Sequence, residues 1–209
     1  VLSYATQQPG TAPGDIRYQD LNNDGVINDQ DRAYIGSPIP KFTAGLTNTF
    51  AWKGFDLSVF LYAVYGNKLF NANRIFTEAM SGAANQTTET LNRWQSPSSP
   101  GDGEMPRAVY GDPNTNARVS DRFVEDGSFL RIRNLTLGYT LPAKWLGTSS
   151  VHAQSLRLYA TTQNLLTFTR YRGFDPEVGS FGQSSLQTGV DNGTYPVART
   201  LTLGFTVGF

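Results

Sequence analysis

From Val197 to Phe209, apolar and small or polar residues alternate without a break. Strand side chains alternate with period two, so Val197, Arg199, Leu201, Leu203, Phe205, Val207 and Phe209 share one face. Ala198, Thr200, Thr202, Gly204, Thr206 and Gly208 share the other. Four earlier segments repeat the pattern. Lys41 to Trp52 sets Phe42, Ala44, Leu46, Phe50 and Trp52 against Thr43, Gly45, Thr47 and Thr49. Phe55 to Tyr65 sets Phe55, Leu57, Val59, Leu61 and Ala63 against Asp56 and Ser58. Only Lys53-Gly54 separates these two, which predicts a tight hairpin. Ser128 to Leu141 changes phase: Leu130 and Ile132 occupy even positions, Leu135, Leu137 and Tyr139 odd ones. One extra residue near Arg133-Asn134 restores a single apolar face, so the pattern predicts a β-bulge there. Gln154 to Phe168 gathers Leu156, Leu158, Ala160, Leu166 and Phe168.

The small face of the last strand carries no charge, only Thr, Gly and Ala. A strand with lipid on its apolar side and a lumen on its small side has this character. The connections sort by length: 52–55 and 141–151 are short, whereas 65–127 and 169–196 are long and rich in Gly, Pro, Ser, Asn and Asp. Loops that long are uncommon in compact soluble domains unless they are functional. Short turns on one side and long loops on the other are the plan of outer-membrane barrels. Trp52, Phe55, Tyr139, Trp145 and Phe209 then collect at the short-turn rim, and Tyr62, Tyr65, Phe129, Phe168 and Tyr171 at the other, as interfacial girdles. The fold expected is all-β, with antiparallel up-and-down strands forming part of a large transmembrane β-barrel with long extracellular loops. Residues 1–40 read as an extracellular loop and 41–209 as five barrel strands. Five strands cannot close a pore, and open edges in lipid cost several kcal/mol per unpaired group, so the chain is expected to be a segment of a larger barrel. A short helix or two is expected within 71–94.

Composition narrows the choice of function. The 209 residues carry no formal net charge and only 16% charged residues, which removes the electrostatic case for nucleic acid. Cysteine is absent, so disulfide scaffolds and cysteine-bound metals are excluded. The longest apolar run, Val59 to Tyr65, is far shorter than the roughly 20 residues of a membrane helix, but barrel strands need no such run.

One segment suggests a metal. Asp20-Leu21-Asn22-Asn23-Asp24-Gly25-Val26-Ile27-Asn28-Asp29-Gln30-Asp31 matches the calcium-loop pattern D-x-[DN]-x-[DN]-G with an acid at the twelfth place. Asp20, Asn22, Asp24 and Asp31 offer side-chain oxygens, Val26 its carbonyl and Asn28 a water-mediated contact. The same residues also dominate turns that bind nothing. Five oxygen donors at matching offsets favour Ca²⁺ in a structural role. Catalysis finds little support. His152 is the single histidine, no G-x-S-x-G elbow or phosphate loop occurs, and Asp175 and Glu177 read as a turn around Pro176. The chain is not expected to be an enzyme.

Several segments in order resemble the C-terminal region of SusC/RagA-type TonB-linked outer-membrane transporters of Bacteroidetes. They are Pro13-Gly14-Asp15-Ile16-Arg17-Tyr18 with the Asp20 loop, Ile35-Gly36-Ser37-Pro38, Lys53-Gly54-Phe55-Asp56-Leu57-Ser58 and Tyr65-Gly66-Asn67-Lys68. Leu91-Asn92-Arg93-Trp94, the stretch Ser120 to Arg131, Asn134-Leu135-Thr136-Leu137-Gly138-Tyr139, Gln163-Asn164-Leu165 and the terminal strand continue the match. The terminal Phe209 also resembles the closing signal of outer-membrane barrels. The resemblance implies a plugged barrel of about 22 strands and a SusD-like surface lipoprotein acting as a lid. It also implies drive from TonB through a part not in this span, and oligosaccharides or peptides as cargo. The location implied is the outer membrane, with long loops outside and the C-terminus periplasmic. A second reading is a soluble, secreted β-rich binding module whose calcium loop is similar to that of dockerins.

Overall fold

The computed structural model describes residues 10–146, 153–178 and 188–209; His152 lies outside the described residues. Five strands build the main sheet: β1 (Phe42–Trp52), β2 (Phe55–Tyr65), β5 (Phe129–Thr140), β6 (Ser155–Thr169) and β8 (Thr200–Gly208). Their spatial order is β1-β2-β5-β6-β8 and every pairing is antiparallel, as an up-and-down sheet requires. A smaller three-stranded sheet joins β3 (Lys68–Asn71), β4 (Val124–Asp126) and β7 (Val190–Asp191), with β3 and β7 parallel. One short helix, α1 (Asn73–Thr77), and a 3-10 turn at Thr88–Asn92 fall within the stretch expected to hold helix.

The chain separates into two compact units. One holds the main sheet, from segments 37–68, 126–178 and 194–209. The other collects the described parts of 1–36, 69–125 and 179–193. The leading segment therefore clusters with the long loop after β3, and the residues from Ser37 onward go with the sheet, where Lys68 donates its N–H to the Ser37 carbonyl at 2.7 Å.

Register explains the main sheet. Phe50, Leu57, Leu137, Ala160 and Leu203 pair in one row, and Trp52, Phe55, Tyr139, Leu158 and Phe205 in the next. Directly opposed residues lie on the same face, so the apolar sets of all five strands form one surface. None of the unit's described residues covers it: Leu203 is 75% exposed and Phe205 71%. The hairpin turn uses Lys53 (φ 47°) and Gly54 (φ 89°), two successive left-handed residues. That twist suits a two-residue turn, and glycine reaches it without strain.

The bulge falls where the sequence places it. Phe60 opposes Asn134 and Leu61 opposes Ile132, leaving Arg133 as the extra residue. The partner strand β6 deviates too, which the alternation did not reveal. Asn164 adopts φ 51° and, with Leu165, drops out of the ladder between Gln163 and Leu166. Two residues drop out there, so the even phase of β6 survives and hides the irregularity. Asn164 also ends the pairing with β8 at Thr200, where its amide donates to the Ala198 carbonyl at 3.0 Å. The last strand therefore begins at Thr200, not Val197.

Aromatic sorting holds at the short-turn rim, where the rings of Phe55 and Tyr139 lie 4.4 Å apart beside Trp52. The other rim needs correction. Phe42, Tyr65 and Phe168 are exposed there, but Tyr62 lies on the inner face, and Phe129 and Tyr171 are buried at 6% exposure. Their rings pack against protein instead of forming a girdle.

Candidate functional site

The inner face of the main sheet carries three tiers of polar contacts. Nearest the short turns, Arg157 on β6 donates a pair of bonds to Asp56 on β2, one of them Nε to Oδ1 at 2.9 Å. This ion pair crosses over β5 at Gly138, which pairs with Asp56 on one side and Tyr159 on the other. A Cβ at Gly138 would collide with both charged groups. Beside it, Tyr159 lies over Gly204, where a Cβ would come within 2.5 Å of the phenol oxygen. The middle tier is neutral: the hydroxyls of Thr136 and Thr161 meet at 2.9 Å.

The third tier is nearest the long loops. Arg131, 1% exposed, donates Nη2 to Asp175 Oδ1 at 2.6 Å, Nη1 to Glu177 Oε2 at 2.8 Å and Nε to Thr167 Oγ1 at 2.8 Å. Its guanidinium stands 5.2 Å from the Phe129 ring. The two residues at the bulged position face the same side, so Arg133 joins Arg131 and donates to the other oxygen of Glu177. Asp175 also accepts the backbone N–H groups of Glu177 at 2.9 Å and Val197 at 3.2 Å. In the sequence Asp175 and Glu177 read as a turn around Pro176; in the structure they are the acidic partners of Arg131 and Arg133. The signal that would have found them is the bulge, which leaves two arginines on one inner face needing negative partners.

The loop unit is organised by charge, and among the described residues of the whole chain buried polar groups outnumber buried apolar ones. Arg74 on α1 donates to Glu78 at 2.7 and 3.1 Å and to Glu125 at 3.0 Å. Arg122 donates to Glu78 at 3.0 Å. Both guanidiniums face the fully buried Phe123 ring, at 5.8 and 4.9 Å. Elsewhere Asp15 accepts Arg107 Nε at 2.8 Å and Nη2 at 3.0 Å, Asn116 Nδ2 at 3.0 Å and the Ala12 N–H at 2.9 Å. Burial pushes the Asp15 carboxyl up, but the bonds from Arg107, Asn116 and Ala12 together outweigh it and hold it below the ordinary carboxylate value. Burial raises the neighbouring Tyr18 phenol to about 12.

In the calcium-like segment Asp20 accepts the N–H groups of Asn23 at 2.7 Å and Gly25 at 2.8 Å. Asp24 accepts Val26 N–H and Asn22 accepts Asp24 N–H. Asp31 accepts Leu21 N–H at 2.8 Å and Asn28 N–H at 2.7 Å, and these bonds hold its carboxyl below the usual range. Asn28 accepts Gln30 N–H. Asn23 (φ 61°) and Gly25 (φ 84°) give the loop its sharp winding. An oxygen-only donor set suits a hard cation. Each carboxylate nevertheless serves backbone N–H groups, and among the described residues no three acidic or histidine side chains gather at metal-binding spacing.

No family model matches the chain. Among curated proteins, TonB-dependent receptor P3 of Formosa agariphila is 38% identical over 209 residues, covering 98% of this chain and 20% of that protein. TonB-dependent receptor SusC of Bacteroides thetaiotaomicron is 32% identical, covering 94% of this chain and 18% of SusC. Among solved structures, that of the RagAB peptide transporter superposes with a TM-score of 0.70 at 28% identity, over 88% of this chain and 19% of that one. The RagAB peptide importer in its closed-closed state gives 0.63 at 29% identity, over 83% and 18%. The chain thus spans about a fifth of the length of these relatives. These matches cover 83–98% of the chain: it belongs to the SusC/RagA type of TonB-dependent receptors, outer-membrane proteins, and corresponds to their C-terminal barrel region.

Proposed function

We propose that this segment forms wall and outer mouth in a TonB-dependent importer of nutrient oligosaccharides or peptides. The observation that carries the reading is the single apolar surface made by five strands in register and left uncovered by the described residues. In water such a surface would be a liability; in hydrocarbon it is the required exterior. Under this reading the 52–55 turn faces the periplasm and the long connections face outward, where they meet a SusD-like lipoprotein lid. TonB acts through the remaining four fifths of the receptor. Support for the lid and the drive comes from the relatives named SusC and RagAB. Carbonate washing of membranes containing the full-length receptor tests the placement. An integral barrel stays in the pellet, and release into the supernatant would overturn the reading in favour of a soluble binding module.

The same proposal gives the Asp20 to Asp31 loop a calcium ion as a structural brace, held by Asp20, Asn22, Asp24, the Val26 carbonyl, Asn28 and Asp31. Its support is the spacing and the oxygen-only donor set. Isothermal titration of the full-length protein with calcium after chelation is expected to show one site of about 10⁻⁴–10⁻³ M. No heat of binding, with an unchanged melting profile, would remove the ion from the account.

A further inference from the structure

The two arginines of the inner face treat their acids unequally. Asp175 is buried, and beyond Arg131 it holds two backbone N–H groups. It is fixed in the fold. Glu177 is 37% exposed, its second arginine Arg133 is 36% exposed, and among the described residues the Glu177 carboxylate bonds the two guanidiniums alone. Arg133 Nε is buried and bonded to nothing in the described structure. Two guanidiniums converging on one carboxylate, with a donor to spare, make a built cradle for that group. Here the chain's own loop supplies the carboxylate.

We propose that the Arg131–Arg133 pair is a carboxylate-binding site that Glu177 fills in the resting state and that an incoming acidic ligand takes over. This rests on the importer reading and deepens it: the cargo carries carboxylates, as an acidic peptide or a uronate-containing oligosaccharide does. Asp175 stays bonded to Arg131 throughout, so the loop pivots there instead of detaching. Displacement exchanges one carboxylate for another on the same two arginines, so no buried charge is left unpaired at any stage.

The test uses the full-length receptor in detergent at low ionic strength, with glutarate as probe. Titration calorimetry is expected to show binding to the wild type and about tenfold tighter binding to Glu177→Gln, whose loop competes less. Arg133→Met is expected to abolish it. Hydrogen exchange gives a second reading without mutation: the amides of Glu177, bonded to Asp175 at 2.9 Å, and Val178, both beyond the pivot, are expected to lose protection when glutarate is added to the wild type. Acetylated, amidated triglutamate and trigalacturonate then distinguish the peptide source from the sugar source. If glutarate leaves those amides unchanged and Glu177→Gln binds none, the cluster is a structural brace only and the proposal is overturned. None of these measurements depends on membrane insertion or uptake, so the importer reading stands or falls separately.

Discussion

Asp56 and Arg157 meet across β5 because Gly138 lies between them with no side chain to block the way. Valine there would push two charged groups apart and press on neighbours already in contact, which costs about 1–3 kcal/mol. Urea unfolding of the full-length receptor in lipid should show Gly138→Val losing that amount and Leu137→Val, one position along on the opposite face, losing less. Asp15 supports a pH prediction. Its carboxyl titrates below the ordinary value despite burial, because Arg107, Asn116 and the Ala12 N–H bond its charged form. A lowered folded value adds stability at pH above the unfolded value of 3.8 and loses it as pH falls through the folded one. Amide 12, bonded to Asp15, and amide 16, bonded to Asn116, should therefore stay protected at about pH 5 and open as pH falls from 3.8 through the folded value, by hydrogen exchange. Asp15→Asn should flatten that acid step.

At the level of elements, the five long strands were legible because each keeps its apolar side pure, and a one-residue slip would have turned Leu135, Leu137 and Tyr139 to the wrong face. That purity also betrayed the bulge at Arg133. It could not betray Asn164, whose two-residue excursion preserves parity. Strands β3, β4 and β7, two to four residues each, are too short to show a period. They sit beside the Arg74, Glu78, Arg122 and Glu125 network and the buried Phe123, so tertiary contacts shape them more than alternation does. Breaking that network is expected to be severe. Glu78→Gln takes the acidic partner from the buried Arg122 and leaves Arg74 with Glu125 alone, and such losses run to about 3–5 kcal/mol. Limited proteolysis of the folded receptor should then cut first within 73–125, whereas an exposed control such as Glu89→Gln should leave the pattern unchanged.

For the molecule as a whole the decisive quantity is what bathes the outer face of the main sheet. Leu201 pairs in the same row as Asn48, Val59, Leu135 and Thr162, about midway along β1 and β2 between the two rims. Arginine at that position costs about 2–4 kcal/mol if hydrocarbon lies against it, and close to nothing if water does. Unfolding of Leu201→Arg in liposomes reads the difference directly, and a cost under about half a kcal/mol would contradict a lipid-facing wall. The edge strands β1 and β8 bear on a practical matter. Each presents a long row of amide and carbonyl groups along its outer margin, and such margins recruit further copies in solution. A laboratory producing these 209 residues alone, as an immunogen or a display scaffold, should expect fibrous precipitate unless detergent or a neighbouring strand seals both margins.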